Sequence, residues 1–108
     1  MRETYAALAA TVQATRARAG DLRAAMTRIA EDETRHAALS WQIASWAERR
    51  LGPTARARVA TARAQAIAAL RAELAAQRVP CELLVDAGEP TAVEAVRLLD
   101  ALTEALAA

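Results

Sequence analysis

The chain has 108 residues and a formal net charge of +1, and 55% of its residues are hydrophobic although it contains no Phe. Its length allows one small domain, and its high content of Ala, Leu and Arg, all strong helix formers, indicates an all-α protein. All 14 basic residues are Arg, spread between acids, and no apolar run reaches ~18 residues, which argues against a nucleic-acid partner and a membrane span.

The first half of the chain predicts a long antiparallel pair of helices. Helix 1 is expected over about 2–19, followed by Gly20 as a natural C′ residue and Asp21 as a natural N-cap. Helix 2 is expected over about 22–50, which is roughly eight turns. It ends before Pro53, because Pro cannot continue a helix and biases the preceding residue out of the α region.

Two further helices are predicted in the second half. Helix 3 is expected over about 54–77, and segment 79–90, with two prolines and a glycine, is expected to be a connector with room for one short turn. Thr91 and Glu94 form a capping box that opens helix 4. Arg63 interrupts the apolar seam of helix 3. The seam of helix 3 consists of Val59, Ala62, Ala66, Ile67, Leu70 and Leu74, and that of helix 4 of Val96, Leu99, Leu102 and Leu106.

The single cysteine, Cys81, lies in the connector, with no His or second Cys near it in the sequence. One cysteine forms no internal disulfide, and nothing in the chain resembles a signal peptide, so we expect a cytoplasmic protein. We interpret Cys81 as a small apolar residue, with a reactive thiol as the alternative.

Helix 2 carries two polar side chains in the middle of its apolar stripe. At 100° per residue, the apolar side chains at positions 22, 26, 43 and 47 fall within about 60° of Ile29. Glu33 falls about 40° from Ile29, and His36, the only histidine, about 20° away on the other side. A carboxylate there costs several kcal/mol unless it is paired, hydrogen-bonded or bound to a metal. The E-x-x-H spacing aims one oxygen and one nitrogen at the same point, as in metal sites of helix bundles.

Glu3 is a third candidate ligand. If helices 1 and 2 fold back at Gly20, residues equally far from the turn lie at the same height. Glu3 is 17 residues before Gly20 and His36 is 16 after it, so Glu3 stands nearly level with the pair. Its direction stays open, because it heads a row of small residues that could face either a packed bundle or solvent: Ala6, Ala7, Ala10, Ala14 and Ala17.

The same pattern has readings without a metal. Glu33 and His36 would also be satisfied as a buried hydrogen-bonded pair, or by an ion pair with Arg63 from helix 3. Asp32, about 60° from Ile29, is either a boundary residue in an exposed salt bridge or a partner that orients the His36 ring. Trp41 is expected to anchor helix 2 on helix 3, on helix 4 or on a partner subunit.

The segments "RETYAAL" (residues 2–8) and "IAEDETRHAALSW" (residues 29–41) resemble the second half of bacterial ferritin-like domains, which belong to the di-iron carboxylate superfamily. The resemblance covers residues 1 to about 50. It implies that 1–51 is half of a four-helix bundle and that 53–108 is a C-terminal helical extension of the same domain. It also implies iron as the cofactor, held by Glu3 as a bridging or terminal ligand, Glu33 as a carboxylate shared between metals, and His36 as a terminal ligand. Mn and Zn suit the same donors.

The chain departs from the family pattern because a complete site needs a second Glu and a second E-x-x-H. A homodimer would supply them across a two-fold axis. An N-terminal half-bundle upstream of Met1 would also supply them, and the short stretch before Glu3 favours this. A degenerate relative would bind no metal. The implied function is metal binding, with an oxidase or iron-handling activity if the half-site is completed. The alternative is a non-catalytic helical structural module or fragment with a relict site.

Overall fold

The computed structural model describes residues 1–78 and 82–107, which form helices and contain no strand. The described helices are α1 (Arg2–Arg16), α2 (Gly20–Glu48), α3 (Pro53–Ala75), α4 (Glu82–Asp86) and α5 (Ala92–Ala107). The all-α class predicted from composition is therefore confirmed. The predictions for residues 79–81, including the interpretation of Cys81, lie outside the described residues.

Helices α1 and α2 run antiparallel and pack through alanine side chains. Ala7 and Ala10 of α1 are buried, as are Ala30 and Ala37 of α2. Small side chains allow two helix backbones to approach closely, so this pair is held by many short-range van der Waals contacts. The small-residue row of helix 1, whose direction the sequence left open, therefore faces α2.

The turn between α1 and α2 differs from the prediction. α1 ends at Arg16, and Gly20 is the first residue of α2 rather than a C′ residue. Between them, Ala17 and Ala19 have extended backbone, with ψ of 136° and 135°. The guanidinium of Arg23 donates to the carbonyl oxygen of Ala17 at 2.8 Å and stabilises this connection. The three residues of the connector change which residues of the two helices lie at the same height.

The larger side chains of the core lie where α3, α5 and α1 meet. Leu70 and Leu74 of α3 pack with Ala95 and Leu99 of α5, and Tyr5 of α1 packs against this cluster. Burial raises the pKa of the Tyr5 hydroxyl above its ordinary value. The predicted helices 3 and 4 correspond to α3 and α5 of the structure. The predicted apolar seams are thus confirmed in the C-terminal half of α3 and at the centre of α5. The ends of these seams are exposed, at Val59 (46%) and Leu106 (43%).

The predicted capping box at the start of α5 is confirmed. The Glu94 backbone N–H donates to Thr91 Oγ1 at 3.3 Å, and the Thr91 backbone N–H donates to Glu94 Oε2 at 3.0 Å. The Arg16 guanidinium also donates to Glu94 Oε2, at 2.8 Å, and ties the start of α5 to the end of α1. The hydrogen bond from Arg16 is the main reason why the pKa of Glu94 lies below its ordinary value, and the backbone N–H of Thr91 adds to it.

The molecule is long for its size. Its radius of gyration is 15.7 Å, and its principal extents are 49 × 27 × 19 Å. A compact chain of this length has a radius of gyration of about 13 Å. Among the described residues, most of the buried hydrophobic side chains are alanines. A small alanine core in a long molecule leaves large apolar side chains at the surface.

The loop after α4 packs tightly on the end of α1 at Gly88. Gly88 has φ of +75°, and a Cβ built on it would lie 2.6 Å from the backbone nitrogen of Ala17. The neighbouring backbone of Asp86 accepts a hydrogen bond from the N–H of Arg18 at 3.0 Å. A side chain at position 88 would thus meet both an unfavourable φ and another backbone.

We predict that Gly88→Ala lowers the free energy of unfolding by about 1–3 kcal/mol, measured by urea denaturation followed by circular dichroism. Gly20→Ala is the matched control, because a Cβ at this helical position would lie 3.6 Å from the Arg23 side chain, an ordinary contact. Gly20→Ala should leave stability unchanged or raise it slightly. Equal stability of the two variants would contradict the described packing of Gly88.

Candidate metal site

Glu33 lies on the row of α2 that faces α1. This row is buried or half-buried at every position and consists of Met26, Ala30, Glu33, Ala37, Ser40 and Ala44. Glu33 itself is half-buried. Within residues 1–78 and 82–107, its carboxylate makes no ion pair and accepts no hydrogen bond from a side chain. The residue as a whole is half-buried, and a carboxylate without a protein partner is available to a ligand that approaches from the exposed side.

His36 is on the outer side of α2, next to Asp32. Its side chain is 57% exposed, and its Nε2 lies 3.8 Å from Asp32 Oδ2. This distance is too long for a direct hydrogen bond. Asp32 also forms an ion pair with Arg35, at 3.0 Å. Asp32 is thus a boundary residue in an exposed salt bridge, one of the two interpretations from the sequence, and it borders the imidazole as well.

Glu3 is exposed and lies one turn beyond His36. Its Oε2 accepts a hydrogen bond from Ser40 Oγ at 3.4 Å. Ser40 is ~6 Å from His36 and ~10 Å from Glu33 along the helix axis. The prediction that Glu3 stands level with the pair is therefore off by about one turn, because the extended connector between α1 and α2 shifts their register. Among the described residues, no three His, Cys, Asp or Glu side chains are grouped so that they could hold a metal ion.

Arg63, a candidate partner of the Glu33/His36 pair, lies elsewhere. Its guanidinium is 5.3 Å from the centre of the Trp41 ring, a cation–π contact between α3 and α2. Trp41 Nε1–H donates to Thr4 Oγ1 at 2.9 Å, so this indole joins α2 to both α1 and α3. Of the three surfaces expected for Trp41, the structure shows the contact with helix 3. Arg63, a candidate partner of Glu33 and His36, contacts Trp41 instead.

An uncovered apolar face runs along α2 beside the alanine row. Large apolar side chains on this face are about half exposed: Ile29 (46%), Leu39 (55%), Ile43 (56%) and Trp46 (52%). We call the face the open stripe and define it by positions that alternate at spacings of three and four: Leu22, Ala25, Ile29, Asp32, His36, Leu39, Ile43 and Trp46.

The side of α2 that faces the core differs from the prediction. Ile29 and Ile43 were expected to face the interior, whereas the buried Ala30 and Ala37 point about 100° and 80° away from Ile29. Two rows on α2 have helical periodicity, and α1 packs on the alanine row because small residues allow the closer approach. The prediction that His36 faces the interior of the single chain is therefore wrong: its side chain is 57% exposed and lies on the uncovered apolar stripe.

One chain provides too few donors for a complete site at this position. Glu33 and His36 offer one carboxylate and one imidazole on neighbouring rows of α2, whereas protein metal sites use three or more protein ligands, and bundle sites combine residues from facing helices. The donor types fit iron, Mn and Zn. A second helix on the open stripe would add further donors at the centre of the stripe.

Comparisons with known proteins give no relative from which a role could be transferred. No protein-family model, no curated protein and no solved structure matches the chain. Among residues 1–78 and 82–107, no helix combines the length and the apolar character needed to cross a membrane.

We predict that Glu33→Leu raises the free energy of unfolding by about 0.5–2 kcal/mol in the presence of EDTA, because it replaces a half-buried carboxylate by an apolar side chain of similar size. Thermal and urea denaturation measure the change. Glu31→Leu, at an exposed position of the same helix, should change stability by less than ~0.5 kcal/mol. A loss of stability in Glu33→Leu would mean that the carboxylate has a stabilising partner, and it would overturn this description of Glu33.

Proposed function

We propose that the chain is a cytoplasmic, ferritin-like metal-binding protein whose site is completed when a second helix pair covers the open stripe. In this proposal Glu33 and His36 are the main ligands and iron is the metal. The resemblance of residues 2–8 and 29–41 to ferritin-like domains motivates the choice of iron. The second helix pair comes either from a second copy of the chain or from an upstream half-bundle.

One observation carries the proposal: His36 of the E-x-x-H pair lies at the middle of the open stripe, and Glu33 lies at the edge of this stripe. His36 has exposed apolar neighbours about two turns away on both sides, at Ile29 and Ile43. An exposed apolar surface of this length is typical of an association surface. Association would bury His36 and Glu33 together, and polar groups buried together need partners or a metal.

The residues of this chain would have distinct tasks. Glu33, on the row that faces α1, supplies a carboxylate without a competing protein partner among the described residues, and His36 supplies a nitrogen. Asp32, whose Oδ2 lies 3.8 Å from Nε2 of His36, orients the imidazole after a small movement. The surrounding apolar side chains exclude water once they are covered. Bound iron would supply the Fe(II)/Fe(III) redox chemistry that an oxidase or iron-handling activity needs.

Glu3 has a weaker role in this proposal. Its carboxylate is exposed and accepts a hydrogen bond from Ser40, one turn beyond His36. It can reach the site only if its side chain leaves Ser40. We therefore expect Glu3 to contribute less to metal affinity than Glu33 or His36.

A second candidate function is a helical module that acts by association alone, with a relict site. It is favoured by the lack of any three-residue metal-binding group in residues 1–78 and 82–107. In that case the open stripe is a contact surface, and Asp32 and His36 serve only to set its register. Bound metal distinguishes the two functions.

We predict about one iron per chain after the purified protein is loaded anaerobically with Fe(II), desalted and analysed by mass spectrometry for metals. Glu33→Ala and His36→Ala should each lose most of the iron, because each removes one of the main ligands. Glu3→Ala should lose the least of the three.

Glu31→Ala is the control, since Glu31 is an exposed acid on another face of the same helix. It should retain the full iron content. Iron that is absent from the wild-type protein, or that remains in both Glu33→Ala and His36→Ala, would contradict the proposed function and favour the module without a metal.

A further inference from the structure

The open stripe of α2 is self-complementary about its middle. Its positions repeat at alternating spacings of three and four residues, which is the seam pattern of a coiled coil. The polar residues Asp32 and His36 are at the centre of the stripe, and Thr34, which is not part of the stripe, is midway between them in the sequence. Apolar residues lie on both sides: Leu22, Ala25 and Ile29 before the centre, and Leu39, Ile43 and Trp46 after it.

We infer that a second copy of this chain packs on the open stripe, with the two α2 helices antiparallel and a two-fold axis level with Thr34. The inference rests on the proposed function, which requires a second helix pair on the open stripe, and it identifies that pair as a second copy of the chain. The contact between the two copies does not itself depend on a metal. The axis sets each seam residue opposite one of similar polarity. The resulting pairs are Asp32 with the partner's His36, Ile29 with the partner's Leu39, Ala25 with the partner's Ile43, and Leu22 with the partner's Trp46.

Charge selects this arrangement over its alternatives. A parallel pair would set Asp32 against the partner's Asp32, which is unfavourable. An antiparallel pair shifted by seven residues along the open stripe would set Asp32 against the partner's Ile43. It would leave a carboxylate against an apolar side chain. With the axis level with Thr34, Asp32 faces the partner's imidazole and each large apolar side chain faces another apolar one.

The same axis brings both copies of Glu33 to the flank of the seam that faces α1. Glu33 is only one residue from the axis, so the two carboxylates lie ~3 Å apart in height. Their repulsion opposes association, and a cation between them would relieve it. The apolar pairs and the pairing of Asp32 with the partner's His36 are expected to form the dimer without metal. Fe(II) or Mn(II) should make it tighter, because a bound cation relieves the repulsion between the two Glu33 carboxylates.

The size of the surface sets the strength of association. The stripe from Leu22 to Trp46 is ~36 Å long, and two helices of that length bury on the order of 1,000 Å² in total. This is at the low end of specific protein interfaces, so we expect a concentration-dependent dimer rather than a permanent one.

Sedimentation equilibrium in EDTA tests the inference with the full chain at concentrations between ~1 and ~100 μM. The wild-type protein should change from monomer to dimer over this range. Ile43→Glu should weaken dimerisation at least ten-fold, because it sets a carboxylate against the partner's Ala25. Val59→Glu is the matched control: Val59 is a similarly exposed apolar residue on α3 (46%), and its replacement should change the dissociation constant less than two-fold.

A rescue experiment tests the register. His36→Asp sets two carboxylates opposite each other at the centre and should weaken dimerisation at least ten-fold. Adding Asp32→Arg to that variant sets a guanidinium against each new carboxylate across the axis and should restore the wild-type dissociation constant to within about three-fold. In a parallel pair the double variant would set Arg against Arg, and no rescue would occur. Circular dichroism verifies that each variant retains its helix content.

The outcomes separate the two proposals. A wild-type protein that stays monomeric over this range, both in EDTA and with Mn(II), overturns the inference, as does loss of rescue in the double variant. A dimer that forms in EDTA but neither binds nor is tightened by Fe(II) or Mn(II) supports the inference and contradicts the proposed function.

Discussion

The close approach of α1 to α2 through alanine determines which face of α2 remains uncovered. Ala7 and Ala10 meet the row that contains Ala30 and Ala37, and all four are buried. Small side chains on both helices make this the closest packing available to the pair. Because α2 directs its alanine row at α1, the open stripe beside that row, which carries larger side chains, is left at the surface.

The uncovered stripe explains why the molecule is long and has a small core. Ile29, Leu39, Ile43 and Trp46 remain about half exposed, whereas the buried large side chains cluster between α3 and α5. A lone chain of this size buries a limited fraction of its surface, and a second subunit would increase it. The same surface carries His36, with Glu33 at its edge, so association and the proposed metal site concern one region of α2.

Local sequence signals predicted the helices and the α5 capping box well, because short-range hydrogen bonds and φ preferences decide them. The direction of the core on α2 was mispredicted, because Ile29 and Ile43 form the more hydrophobic row while α1 selects the alanine row for close packing. The level of Glu3 was off by about one turn, because a glycine and an aspartate suggested a tight turn where Ala17 and Ala19 are extended. Periodicity identifies the rows of a helix but does not tell which row meets which neighbour.

Distances between spin labels in the two copies test most directly whether α2 pairs with α2 about Thr34. Exposed Arg35 and Gln42 would be replaced one at a time by labelled cysteine in a Cys81→Ser background. Antiparallel pairing about Thr34 sets the Arg35 labels ~3 Å apart in height and the Gln42 labels ~24 Å apart in height, so the Gln42 distance should exceed the Arg35 distance by more than ~10 Å. Equal distances at both positions, or no dipolar coupling between copies, would contradict it.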